Sequence, residues 1–293
     1  MTQLRVVREI APSAQVAPDA VIGPFCVVGP KVTIGPGTVL GRRVCVEGHT
    51  VIGSGNLIDE GCVLGALPQD LKYAGKPTML IIGHRNRLGP RVTAHIGTEY
   101  GGFLTRIGDD NVLMDGCHIA HDCYLDDRTR LCRQVLLAGH VLVGTGAVME
   151  EQAAAHHFTT IGRYARVLPR TPVRRDVPPY TVFGSEDGEA QPPAVRGAHE
   201  NGIKAAGLSP AEEKELRSAL RELFDDEEAL QTKIEQLVNM GVEGQAAELC
   251  EFCRHSLQGV FGRYHELSRG KMPPQAVKYL PPAILAGIVR QQQ

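Results

Sequence analysis

Aliphatic residues recur at every sixth position through the first half of the chain. From Ile10 the series runs Val16, Ile22, Val28, Ile34, Leu40, Val46, Ile52, Ile58 and Leu64, ten aliphatics without a miss. With 43% apolar residues, such a run has a chance probability of order 10⁻⁴. The period resumes at Ile82, Leu88 and Ala94, then continues from Ile107 through Ile119, Leu137 and Ala155 to Val173. A repeat of six matches neither the helical period nor the alternation of a lone half-buried strand. It suits a β-solenoid in which three short strands make a coil of about eighteen residues, anchors inward, with coils stacked about 4.8 Å apart. The residue after each anchor is small or acidic, as at Gly23, Gly29, Gly35 and Gly41, and is expected to let the chain turn each corner.

The period breaks at residues 66–80 and 98–105, which predicts two loops extruded from the solenoid, where binding residues are commonly carried. It ends near residue 182. Residues 183–198 read as a linker. Ser209-Pro210-Ala211-Glu212 then supplies an N-cap, a proline at N1 and a glutamate at N3, followed by Leu216, Leu220, Leu223 and Phe224 at helical spacing. Further helices are expected near 226–239 and 244–268. The expected organisation is a solenoid over 1–182, a linker over 183–198, a helical domain over 199–270 and an extension over 271–293 whose final glutamines fray.

Composition narrows the reading. The 293 residues include no Trp and only 5% aromatics, so the core must be small aliphatics at close spacing. A net charge of −2 argues against a general nucleic-acid binder, which needs a basic face. The chain lacks an apolar run long enough for a membrane span, and Met1-Thr2-Gln3-Leu4-Arg5 does not open a signal peptide. The expectation is a cytoplasmic protein without membrane insertion. The eight cysteines are then read as reduced thiols, those at 26, 62, 117, 123 and 132 packing among the repeats. Cys250-Glu-Phe-Cys253 with His255 lacks a second ligand pair and reads as core-facing.

Histidine carries the concentrated chemical signal. His95, His118, His121, His140, His156 and His157 all lie in or beside the repeats. A histidine pointing inward is costly unless paired, whereas one on the outer wall is available to act. His121, third in the repeat Ile119-Ala120-His121-Asp122, is expected to face outward beside Asp122, which could fix its tautomer. His140 follows nineteen residues later, close to one coil on. Two chemistries fit. One is general-base catalysis by an imidazole titrating near neutrality. The other is zinc held by His118, His121 and His140, against which stands the divergence of neighbouring positions around a corner. No phosphate-binding loop, dinucleotide fingerprint or nucleophile elbow is present in the sequence.

The stretches Ile22-Gly-Pro-Phe-Cys-Val-Val-Gly-Pro30, Gln69-Asp-Leu-Lys-Tyr-Ala-Gly75, His118-Ile-Ala-His-Asp-Cys123, Leu137-Ala-Gly-His140 and Asp176-Val-Pro-Pro-Tyr180 resemble a known family. It is the acyl-carrier-protein–UDP-N-acetylglucosamine O-acyltransferases of lipid A biosynthesis, and the likeness spans about residues 10–263. The resemblance implies a left-handed parallel β-helix followed by an α-helical domain, assembled as a homotrimer with active sites between subunits. It implies transfer of a 3-hydroxyacyl group from acyl-carrier protein to the 3-hydroxyl of UDP-N-acetylglucosamine. It makes His121 the general base, Asp122 its orienting acid and the Gly139 N–H the oxyanion donor. His118 and His140 would line the site, and Gln69, Asp70, Lys72 and His156 would contact the nucleotide sugar. No metal and no cofactor are expected, because a thiol is already a good leaving group.

The periphery departs from the family pattern. His157 replaces a glutamine, and His199 and Asn201 stand where an asparagine and a glutamate help hold the substrate. Ala205 and Ala206 replace an arginine pair, one member linked to the carrier's phosphopantetheine arm and the other to the nucleotide phosphate. Glu150-Glu151 replaces a Gly-Gly stretch, and Pro169 occupies the position that limits acyl length. These departures keep open a relative acylating another nucleotide sugar, at a hydroxyl or an amine, and a catalytically idle β-helical scaffold.

Overall fold

Many anchors end a strand of two residues whose first side chain is the more exposed and whose second is buried. Val21–Ile22, Val27–Val28 and Val39–Leu40 are examples. A computed structural model describes residues 7–185, 192–225 and 229–269. The chain divides into two compact units, one running to Tyr124 and taking up the chain again from Ser268, the other Leu125–Leu267.

In the first unit, every third strand joins the same parallel sheet. One sheet holds Glu9–Ile10, Val27–Val28, Cys45–Val46, Val63–Ala66, Thr93–His95 and His118–Ile119 in that order. A second holds Gln15–Val16, Lys31–Ile34, His49–Ile52, Met79–Ile82 and Leu104–Ile107. The third runs Val21–Ile22, Val39–Leu40, Leu57–Ile58, Arg87–Leu88 and Val112–Leu113. This is the wiring of a parallel β-helix. Anchors from Val28 through Leu113 are nearly sealed from solvent, while Ile10 on the first strand is 41% exposed. The extruded loops cover residues 67–78 and 96–103.

Within this core a ladder of side chains runs from coil to coil. Thr38 Oγ1 donates to Gly53 O and accepts the Asn56 N–H. Asn56 Oδ1 accepts the Asn86 N–H at 2.9 Å, and Asn86 Oδ1 accepts the Asn111 N–H at 2.8 Å. All four residues are fully buried. The steps between rungs are 18, 30 and 25 residues, the last two lengthened by the extruded loops.

Corners work differently from the expectation. The glycine after an anchor is small because the next coil passes against it: a Cβ on Gly23 would lie 2.4 Å from Gly41 O, and one on Gly53 2.5 Å from Gly83 O. The left-handed turn comes two residues later and is taken mostly by residues with side chains, such as Phe25, Arg43, Asp122, His140 and Phe158, with φ between 56° and 64°. Such a conformation costs of order 1 kcal/mol for a residue other than glycine.

In the second unit Leu136–Leu137, Ala154–Ala155 and Pro172–Val173 form one parallel sheet, and Leu142–Val143 pairs with Thr160–Ile161. Arg130–Leu131, Val148–Met149, Arg166–Val167 and Thr181–Gly184 form another. The segment 183–198, expected as a linker, instead supplies strand Ala194–Ala198, which pairs antiparallel with Thr181–Gly184. The helices that follow pack against late coils of this unit, with Tyr164 and Tyr180 joining their core.

Those helices are α1 (Glu200–Ala205), α2 (Pro210–Phe224), α3 (Leu230–Asn239) and α4 (Gly244–Gln258). Ser209 and Glu212 form the reciprocal capping box, with Pro210 at N1. The helix expected over 244–268 stops at Gln258. Phe261 and Gly262 adopt left-handed backbone there, and a short 3₁₀ turn covers Tyr264–Ser268. Leu216, Leu220, Leu223, Ile234, Leu237, Leu249, Cys250 and Cys253 make the helical core. Burial pushes the Cys62 and Cys253 thiols up to about 12, so both stay protonated as packing groups. The extension 271–293 lies outside the described residues. Among those described, no helix is long and apolar enough to cross a membrane.

Candidate active site

In the first unit, the corner after anchor Ile119 sets His121 and Asp122 side by side. His121 Nδ1 lies 2.7 Å from Asp122 Oδ2. Asp122 takes the left-handed corner conformation, with φ 61°. Its carboxylate is held from the other side by the second extruded loop: Thr98 N–H donates to Oδ1 at 2.7 Å and the Thr98 hydroxyl donates to Oδ2 at 2.6 Å. The Asp122 N–H donates to Thr105 Oγ1 at 2.8 Å. Asp122 is 2% exposed and therefore strongly fixed. An acid so held, facing Nδ1, favours the tautomer with hydrogen on Nδ1 and the lone pair on Nε2.

His121 itself is 9% exposed. Loop 96–103 accounts for this low exposure, packing closely at the dyad, where a Cβ on Gly101 would stand 2.0 Å from the Asp122 carboxyl carbon. His118 is half-buried, its Nδ1 2.7 Å from Thr93 Oγ1, and burial followed by the proximity of His121 lowers its pKa. His95 meets the His118 ring edge-on at 4.9 Å. Burial, and then His118 and His121, push His95 down to about 4, so it is neutral at physiological pH. Thr98, Gly101 and Thr105 escape a reading by six-residue period because they lie in or next to an insertion, whereas His95 was legible among the histidines of the repeats.

The first extruded loop carries Gln69 and Lys72, both exposed, and Asp70, half-buried. Asp70 Oδ1 accepts the Lys72 N–H at 3.0 Å, and the loop is tied to the second by the Ala74 N–H on Glu99 Oε1 at 2.7 Å.

The second unit brings together Gly139, His140, His156 and His157. The His140 ring stacks on Phe158 at 4.2 Å, nearly parallel, and the rings of His156 and His157 lie 3.8 Å apart. Gly139 O accepts the Phe158 N–H at 3.3 Å. His199 stands apart from this group in role: it is buried just before α1, with Nδ1 2.7 Å from Tyr164 O, and so ties the helix to the solenoid. Asn201 is exposed on α1, as is Ala205, whereas Ala206 is partly buried against the helical core.

Comparisons with known proteins agree on one family. A family profile described as Udp N-acetylglucosamine O-acyltransferase, domain 2, matches residues 176–261. The chain is 39% identical over 194 residues to an acyl-carrier-protein–UDP-N-acetylglucosamine O-acyltransferase of Synechocystis, covering 66% of this chain and 68% of that one. It is 35% identical over 230 residues to the enzyme so named in Gloeothece citriformis, covering 78% and 79%. The solved UDP-N-acetylglucosamine O-acyltransferase of Moraxella catarrhalis superposes with a TM-score of 0.76 at 34% identity, over 83% of this chain and 93% of that one. Coil wiring, corner-held His–Asp dyad and these likenesses converge: with its left-handed parallel β-helix followed by helices, the chain belongs to the acyl-carrier-protein–UDP-N-acetylglucosamine O-acyltransferases.

Proposed function

We propose that this acyltransferase moves a 3-hydroxyacyl group from acyl-carrier protein to the 3-hydroxyl of UDP-N-acetylglucosamine, the first step of lipid A biosynthesis, with His121 as general base. His121 Nε2 takes the hydroxyl proton as the sugar oxygen attacks the thioester carbonyl. The C–O bond forms, the carbonyl oxygen becomes an oxyanion, and the Gly139 N–H donates to it. Collapse breaks the C–S bond, and the proton held by His121 passes to the leaving thiolate. Asp122 keeps Nδ1–H engaged throughout and steadies the transient imidazolium. A preorganised oxyanion donor is worth about 3–4 kcal/mol. The observation carrying this reading is the buried dyad, its carboxylate clamped by Thr98. Gln69, Asp70, Lys72, His118, His140, His156, His157 and Asn201 are the proposed substrate contacts, with His199 supporting α1.

The assembly proposed is a homotrimer. The compartment proposed is the cytoplasm, in keeping with eight cysteines that form no disulfide.

The test is turnover of a 3-hydroxyacyl carrier thioester with a panel of nucleotide sugars, run on the species that sediments at about three times 31.7 kDa. UDP-N-acetylglucosamine should be the preferred acceptor, with a new ester at its 3-hydroxyl. Release of free thiol only with an amino sugar, or none with any acceptor, would overturn the proposal.

Ala205 also makes the binding periphery testable. A charge-assisted bond to phosphate is worth about 1.5–3 kcal/mol, or roughly tenfold to a hundredfold in dissociation constant. Ala205→Arg, on the exposed side of α1, should tighten binding of UDP-N-acetylglucosamine or of the carrier by at least the lower figure. Ala206→Arg should instead lower the melting temperature, since it thrusts a guanidinium towards the helical core. Calorimetric titration of each ligand decides the matter, and unchanged affinities for both would show that Ala205 faces neither.

A further inference from the structure

We propose that His265, acting through Phe158, is a positioning residue for His140. Phe158 sits at a left-handed corner, 5% exposed, with His140 stacked flat on one face at 4.2 Å and an interplanar angle of 6°. The His157 ring meets Phe158 edge-on at 5.6 Å, and the His265 ring lies 6.4 Å from it at 50°. These separations lie in the range over which aromatic pairs attract. Phe158 thereby neighbours both the imidazole stacked on it and a ring brought in from far along the chain. His140 occupies a corner of its own, with φ 64°.

His265 lies in the turn Tyr264–Ser268, beyond the residues matched by the family profile. That turn is fastened without the help of the His265 ring. Asp176 accepts the Tyr264 N–H on Oδ2 at 2.9 Å and the Thr160 N–H on Oδ1 at 2.7 Å. The Asp176 N–H donates to Gly262 O at 2.7 Å, and Arg263 Nη1 donates to Arg174 O at 3.0 Å. Arg263 pairs in turn with Glu266. A ring carried by so fixed a turn can restrict Phe158, and Phe158 restricts the swing of His140. Burial lowers the pKa of His265, in keeping with a neutral ring packed on an apolar one.

The inference rests on the reading of His140 as a substrate contact, so the experiment separates the two. Steady-state kinetics with the full-length His265→Ala protein should show KM for UDP-N-acetylglucosamine raised about two- to tenfold, the worth of an aromatic pair, with kcat near wild type. His265→Phe should restore KM, and Leu267→Ala, in the same turn but half-exposed, should leave it unchanged. Combining His265→Ala with His140→Ala should add nothing to His140→Ala alone, because the two act on one contact. A raised KM for His140→Ala with a wild-type KM for His265→Ala would overturn the positioning role and leave His140 as a contact. A wild-type KM for His140→Ala would overturn that contact and the inference with it. Failure of His265→Phe to rescue would show that only the docking of the turn matters, against the proposal.

Discussion

Replacing His121 with alanine is expected to lower kcat by 10²–10⁴-fold, the usual loss when a general base is removed. At 1.36 kcal/mol per decade that is about 3–5 kcal/mol of transition-state stabilisation. Because the ring is buried and bonded to Asp122, some folding stability goes with it. The loss should be about 1 kcal/mol, a fall of a few degrees in melting temperature for a chain of this size. It stays small because Thr98 continues to satisfy the carboxylate from its main chain and its hydroxyl. Kinetics on the folded variant, set beside its thermal transition, separate the chemical loss from the structural one. Wild-type turnover by His121→Ala would remove this residue from the mechanism.

The second large effect is expected at a residue with no side chain. A Cβ on Gly101 would fall 2.0 Å from the Asp122 carboxyl carbon and 2.2 Å from Oδ2, so Gly101→Ala must displace either the loop or the acid. The acid is pinned by three bonds from two residues, and the loop holds two of those bonds through Thr98. Either movement loosens the dyad. A displacement of about 1 Å at a catalytic group typically costs about 10²-fold in rate, which is the fall in kcat/KM expected here. His121→Ala should then mask the effect, since the orienting acid acts through that base. A Gly101→Ala enzyme with wild-type kcat/KM would show that loop 96–103 does not bear on Asp122.

The six-residue spacing was enough to foresee the parallel coils, because Ile22, Leu40, Ile58 and their equivalents pay for burial at the same place in every turn. Pro210 and Glu212 announced α2 by local chemistry alone. His121 and Asp122 were legible because an acid directly after a histidine in the repeat can reach its ring, as the 2.7 Å contact bears out. Thr98 and Gly101 were not, since they belong to an insertion whose path depends on tertiary contacts. The corner glycines misled for a related reason: small residues signal both left-handed backbone and close approach, and a single sequence does not distinguish Gly23, crowded by Gly41, from Gly37, which has φ 65°. Strand Ala194–Ala198 was hidden by Pro192 and Pro193 just before it and Gly197 within it, although its pairing with Thr181–Gly184 needs only an exposed edge.

The buried series Thr38, Asn56, Asn86 and Asn111 bears on how the chain finds its way home. Hexapeptide coils resemble one another so closely that a nascent coil could seat itself one strand too early, still burying an aliphatic at every anchor. Hydrophobicity alone scarcely penalises that slip. The amide rungs do, because a coil offset by one strand would face Asn86 or Asn111 with an aliphatic and strand a buried polar group at a cost of about 1–3 kcal/mol each. The ladder thus favours the native register, in which two oversized coils stack at set places with every rung paired to the next.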